Sequence, residues 1–140
     1  MVELSKQEFT RLLQIRSALR RFIHWSEQQA RDAGITPAQH QLLLAIRGHP
    51  EPIGPTVGDV ARHLLLRHHS VVGLVDRASA AGLVERSPDL AKPGTVRLTL
   101  TEKGSRALDA LASAHRDEIA RFTHTLEALE PPESSESPPP

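Results

Sequence analysis

Apolar residues recur along this chain at two different periods, and the changes of period mark its elements. Phe9, Leu12, Leu13, Leu19, Phe22, Ile23 and Ala30 fall on one face at helical spacing. Ser5 and Glu8 ahead of them have the capping-box separation, and Gly34 marks the stop. Ile15, Ala18 and Trp25 lie off that stripe, so this long helix is apolar over more than one face. A helix of that kind on a small chain is expected to pack against a second subunit.

Thr36-Pro37-Ala38-Gln39 opens a second helix, with a threonine cap, proline at the first helical position and Leu42, Leu43 and Ile46 inward. Residues 48–55, with three prolines and two glycines, form a loop. Thr56 and Asp59 then cap a short third helix that buries Val60, Ala61 and Leu64. A fourth follows over 68–81, with Val71, Leu74, Val75 and Ala78 inward and Gly82 as its stop. Here the period falls to two. Residues 83–86 read as a short strand, 88–94 (PDLAKPG) as turn chemistry, and Val96-Arg97-Leu98-Thr99-Leu100 as an alternating strand. Thr101 caps a last helix to residue 129, whose Leu108, Leu111, His115, Ile119, Phe122, Leu126 and Leu129 step by threes and fours. From His115 the steps average 3.5, the seam of a helix lying on a partner helix.

That order predicts a mainly α chain with a small two-stranded β wing: a winged helix-turn-helix between N- and C-terminal dimerisation helices. The expected division is an N-terminal dimerisation helix over 1–34, a winged helix-turn-helix over 35–104 and a C-terminal dimerisation helix over 105–130. An acidic Pro/Ser tail over 131–140 is expected to be disordered.

Composition narrows the function. Without cysteine there are no disulfides, thiolate nucleophiles or Cys-based zinc sites. No apolar run reaches the roughly 20 residues of a membrane span, and the charged N-terminus does not read as a signal peptide, so a cytoplasmic protein is expected. No nucleophile elbow, P-loop, dinucleotide fingerprint or zinc-protease motif occurs, so neither an enzyme nor a cofactor is expected. Net charge is zero, but Glu127, Glu130, Glu133 and Glu136 lie at the C-terminal end; residues 1–126 hold 17 basic and 13 acidic side chains, a net +4. The part expected to fold is mildly basic.

Two fragments carry a family resemblance: SVVGLVDRASAAGLVER (70–86) and VRLTLTEKG (96–104), at the right separation and downstream of TPAQHQLLLAI. Over residues 5–130 the chain resembles the MarR family of transcriptional regulators. The resemblance implies a triangular homodimer with interlocked first and last helices, two winged domains reading a pseudo-palindrome in double-stranded DNA, and repression relieved by a small-molecule effector. The pattern departs at Gly73, where the family often has arginine or another polar residue. It departs again at Lys92-Pro93-Gly94, which replaces the usual Asp-Arg pair of the wing tip and leaves Lys92 or Arg97 as the minor-groove cation.

In that frame Arg67, His68, His69 and Ser70 open the recognition helix, with Val72 one turn on. Arg67 suits a guanine or a phosphate, Val72 a thymine methyl, and the free N–H groups of the first turn a phosphate. Arg62, Arg77 and Arg86 suit positioning contacts or internal ion pairs, and Lys92 and Arg97 belong to the wing. Phe22, His24 and Trp25 are candidates to border an effector pocket. Asp59 and His63, four apart, together with His68-His69 motivate a metal-responsive alternative, while His24, His40, His115 and His124 sit on the dimerisation elements. No cluster supplies three ligands at a recognised sequence spacing, so no metal residue is assigned. The other alternative is a winged-helix protein-interaction module without DNA binding, motivated by Gly73, the altered wing tip and the zero net charge.

Overall fold

The computed structural model describes residues 3–129; the tail expected to be disordered lies outside them. The order is α1 (Lys6–Asp32), α2 (Pro37–Arg47), α3 (Val57–Leu64), α4 (His68–Ala80), β1 (Val84–Pro88), β2 (Val96–Leu100) and α5 (Glu102–Leu129). It is the expected winged helix-turn-helix, mainly α with a two-stranded antiparallel wing.

Local chemistry sets the boundaries. Ser5, Thr36 and Thr56 each close a capping box, their hydroxyl oxygens accepting the N–H of Glu8, Gln39 and Asp59 at 3.2, 3.0 and 3.1 Å. The turn between α3 and α4 is made by Leu65, at φ 55° the one left-handed non-glycine residue among those described. α2 is central: it packs on α1, α3, α4, α5 and β2, with Leu42 and Leu43 fully buried beside Val60, Val71, Val75 and Leu98. α1 and α5 run together through Phe22 stacked on Phe122 at 5.1 Å. The stripe of Phe9, Leu12, Leu13, Leu19 and Ile23 on α1 stays exposed.

The first wing strand begins one residue later and runs two further than the pattern predicts. Leu83 is buried and occupied elsewhere: its carbonyl accepts the Thr101 N–H at 3.1 Å beneath the start of α5. Gly104 sits against that same carbonyl. A Cβ there would lie 2.1 Å from the Leu83 oxygen, so only glycine lets α5 approach.

The strand alternation also breaks at Arg97. Val96 is 41% exposed, whereas Arg97 is buried with its Nε donating to Asp89 Oδ2 at 3.1 Å and its Nη1 to the Gly54 carbonyl at 3.2 Å. Arg97 was expected to serve as a wing cation for DNA; instead it points into the wing's root, because the loop before α3 covers that face of the ribbon. Gly54 is needed for this approach: it has φ +94°, and a Cβ would come within 2.2 Å of the Leu98 carbonyl oxygen.

Two outcomes follow for stability. Gly104→Ala should cost about 1–3 kcal/mol or more through overpacking, read as a lower urea midpoint at unchanged slope; an unchanged midpoint would mean α5 is not held this closely. The Asp89 carboxyl is held below its ordinary range by the Ala91 N–H first and by Arg97 next, against the opposing effect of burial. A depressed carboxylate contributes stability that is fully present above the unfolded value of about 4 and is lost as pH falls from there through the lower folded value. The melting-temperature gap between wild type and Asp89→Asn should therefore be widest at neutral pH and close in acid.

Candidate nucleic-acid interface and ligand cavity

α4 presents the surface the sequence singled out. Its N-cap, Arg67, has extended backbone (φ −74°, ψ 150°), and no side chain caps the helix. The Val71 N–H is the first to return to the Arg67 carbonyl, at 3.2 Å, which leaves the N–H groups of His68, His69 and Ser70 aimed outward at the positive end of the helix dipole. Arg67, His68, His69 and Ser70 are exposed, and Val72 is half-exposed one turn on. This first turn follows the exposed Leu65 and Leu66 of the helix-turn-helix corner.

The other arginines divide by partner. Arg62 pairs with Asp59 within α3, whereas Arg86 on β1 pairs with Asp76 on α4 and so braces one element against another. Asp76 thus engages Arg86 rather than its sequence neighbour Arg77. Arg77 folds back along its own helix, with Nη1 3.3 Å from where a Gly73 Cβ would stand. The glycine departure is matched by a guanidinium lying over it. At the wing tip Lys92 is exposed; its backbone N–H reaches the Asp89 carbonyl at 3.2 Å, and its own carbonyl accepts from Thr95 at 3.1 Å. Of the two wing cations expected to face DNA, Lys92 alone faces outward.

A second feature lies between α1, α2 and α5: a cavity of about 630 Å³ with walls from Phe22, Ile23, Leu44, Leu108, Ala112 and Ile119. Its polar groups are Ser26, Glu27, His40, Gln41, Arg47, Asp109, His115 and Arg116. His115 Nδ1 lies 2.9 Å from the Leu111 carbonyl, which can only accept, so Nδ1 carries the proton. In the neutral ring Nε2 then accepts from the Ser26 hydroxyl at 2.7 Å. The His40 ring stands 4.7 Å from that of His115, and its pKa is lowered by burial first and by His115 second. Two arginines also line the cavity, Arg47, which pairs with Asp109 at 3.4 Å, and Arg116.

Only one of the three residues expected to border an effector pocket lines this cavity. Phe22 does; His24 and Trp25 face a separate shallow groove with Arg20, Arg21 and Gln28. Trp25 still packs on the back of the site, its ring 4.8 Å from His115. His40 and His115, two of the histidines expected on the dimerisation elements, meet within one chain. Ser26, Arg47 and Arg116 were not picked out. Their signal was a polar residue on an otherwise core-facing helix position, which one sequence does not separate from a solvated face.

No helix among the described residues is long and apolar enough to cross a membrane. Residues 33–91 match the MarR family. The chain is 32% identical over 103 residues to the HTH-type transcriptional repressor NicR of Pseudomonas putida, covering 73% of this chain and 63% of NicR, less than two thirds of that relative's length. It is 30% identical over 139 residues to the transcriptional activatory protein BadR of Rhodopseudomonas palustris, covering 91% of this chain and 77% of BadR. Among solved structures, that of BpsR from Bordetella bronchiseptica, described for the regulation of its DNA binding by 6-hydroxynicotinic acid, superposes with a TM-score of 0.61 at 26% identity over 89% of this chain and 88% of BpsR. With its winged helix, exposed α4 and matching relatives, the chain belongs to the MarR family of transcriptional regulators, a family of DNA-binding proteins and not of enzymes.

Proposed function

We propose that this protein is a cytoplasmic homodimeric repressor that binds a pseudo-palindromic site in double-stranded DNA and releases it when a small aromatic acid occupies the α1–α2–α5 cavity. The observation that carries the reading is the first turn of α4: Arg67, His68, His69 and Ser70 are exposed together on an uncapped helix N-terminus. Such a turn offers phosphate its free N–H groups and offers base edges the side chains just beyond. Arg67 is the leading base or phosphate contact, Val72 the methyl contact and Lys92 the minor-groove cation. Arg62 and Arg86 position α3 and α4, and Arg77 covers Gly73.

The dimer is supported by the exposed stripe of Phe9, Leu12, Leu13 and Ile23 on α1 and by exposed Ile119 on α5, an apolar surface larger than scattered singletons. The effector class is supported by the cavity's chemistry: apolar walls for a ring, and Arg47 and Arg116 for a carboxylate. The relatives point the same way, BpsR by its regulation with 6-hydroxynicotinic acid and NicR by being a repressor.

Fluorescence polarisation against the DNA upstream of its own gene tests the reading. Wild type should bind saturably, with affinity falling steeply with salt as counterions are released. Arg67→Ala should lose about 1–3 kcal/mol, and Lys92→Ala should lower the salt slope by about one. Absence of binding at low salt would overturn the reading. For the effector, 6-hydroxynicotinic acid should weaken wild-type binding, and Arg116→Ala should need at least tenfold more of it; equal response in both proteins would move the ligand elsewhere.

A further inference from the structure

One cluster of chemistry-bearing side chains belongs neither to the reading head nor to the cavity. It lies where the loop after α2 meets the start of α3. His49 and Glu51 come from the loop and Asp59 from the first turn of α3, and their ligand atoms all lie within 4.8 Å of one another. We propose that His49, Glu51 and Asp59 bind a divalent first-row transition-metal ion, with zinc the ion best suited to the donors, at the root of the wing. The site is distinct from the effector cavity and does not rest on it.

The spacing fits. His49 Nε2 stands 3.3 Å from Glu51 Oε1 and 3.6 Å from Asp59 Oδ2. In a tetrahedron with bonds of about 2.0–2.2 Å, two donor atoms are separated by roughly 3.3–3.6 Å. The third edge closes through Glu51, whose side chain is 58% exposed and free to change rotamer. The donor set is one imidazole and two carboxylates, which suits zinc and its neighbours over magnesium or calcium. The fourth position is left to water.

His49 is also prepared as a ligand. Its side chain is 7% exposed, and its other nitrogen, Nδ1, lies 3.1 Å from His63 Nε2. In the metal-free protein the carboxylates only accept, so Nε2 carries the proton, and Nδ1 of the neutral ring accepts from His63 Nε2–H. With a metal on Nε2 that hydrogen bond reverses: His49 Nδ1–H donates to His63 Nε2, and the displaced proton ends on His63 Nδ1 at the exposed ring through water. Between neutral rings this is only an exchange of tautomers, in which no net proton is lost. An acceptor behind a metal-bound imidazole is the arrangement that fixes ring orientation. His63 is therefore a positioning residue.

The charge balance leaves room for a cation. Arg97 is the nearest competitor, but its close contacts are Asp89 and the Gly54 carbonyl. Its Nη1 stays 3.7 Å from Asp59 Oδ2 and 3.9 Å from Glu51 Oε1, beyond good hydrogen bonds. Arg62 takes the other oxygen of Asp59. Oδ2 accepts the Thr56 N–H at 3.0 Å, with a second lone pair free for a metal. Bound there, the ion would tie the loop of residues 48–55 to α3 beside the arginine that anchors the wing.

The test is titration of the full chain with Zn²⁺ against a chromophoric chelator, with Mg²⁺ as the comparison ion. One Zn²⁺ per chain should bind saturably, and the melting temperature should rise with Zn²⁺ and return with EDTA. Glu51→Gln and His49→Gln should each weaken binding at least tenfold, and His63→Ala about ten- to a hundredfold. His124→Ala, at an exposed histidine far along α5, should bind as wild type. Glu51 is on the surface, so Glu51→Gln in EDTA should melt like wild type, which separates lost metal binding from lost folding. Absence of stoichiometric Zn²⁺ binding, or equal affinity in Glu51→Gln and wild type, would overturn the site and leave the cluster an ion-pair network.

Discussion

A guanidinium taken out of water must find acceptors for its N–H groups, and the placement of Arg97 holds this module together. Buried to 7% exposure, it reaches Asp89 at the wing turn and the Gly54 carbonyl in the loop before α3, with Asp59 of α3 and Glu51 close by. One side chain thus ties three segments far apart in sequence. Removing Asp89 would strand a buried charge, a far larger penalty than the net worth of the pair itself. The wing is short and two-stranded, an arrangement marginal on its own in water. Its fixed position relative to α4 comes from this ionic knot, from Leu98 in the core and from the Arg86–Asp76 brace.

What was legible in the sequence was what is decided locally. Capping boxes at Ser5, Thr36 and Thr56 involve residues three apart, and glycine stops such as Gly82 satisfy carbonyls of the preceding turn. These features and the 3.6-residue period fix the helices before any tertiary contact forms. Arg97 was not legible, because strand alternation describes a ribbon with one wet face. Here the loop of residues 51–55 covers the supposed wet face, and the alternation gives way to Arg97 and Leu98 buried side by side. The cavity was half legible for a related reason. Phe22 shows its role through size and position, whereas the use of Ser26 and Arg116 depends on how α1 and α5 cross.

The eight histidines have separate meanings once placed. His68 and His69 are exposed on the first turn of α4. His40 and His115 form an internal pair, with His115 oriented by Ser26 and the Leu111 carbonyl and the His40 pKa lowered by burial. His49 and His63 form a relay onto two carboxylates. Geometry divides them into an exposed pair at the start of α4, a polar spot in an apolar cavity, and a pair joined to two carboxylates. His49 joins its partners through a proline-rich loop, and no helical spacing encodes that.

The zero net charge of the chain is resolved by the same pairing. Arg62, Arg86 and Arg97 are consumed by Asp59, Asp76 and Asp89, so they add nothing to an outward field. Among the described residues from α3 to β2, Arg67, Arg77 and Lys92 have no ion-pair partner; Arg77 lies over Gly73, while Arg67 and Lys92 stand exposed at the start of α4 and at the wing tip. α2 joins these points to the cavity. Its His40 and Arg47 line the cavity, its Leu42 and Leu43 are fully buried in the core shared with α3 and α4, and its C-terminal end leads into the loop carrying His49. The walls of the cavity and the core beneath α4 are therefore continuous through α2.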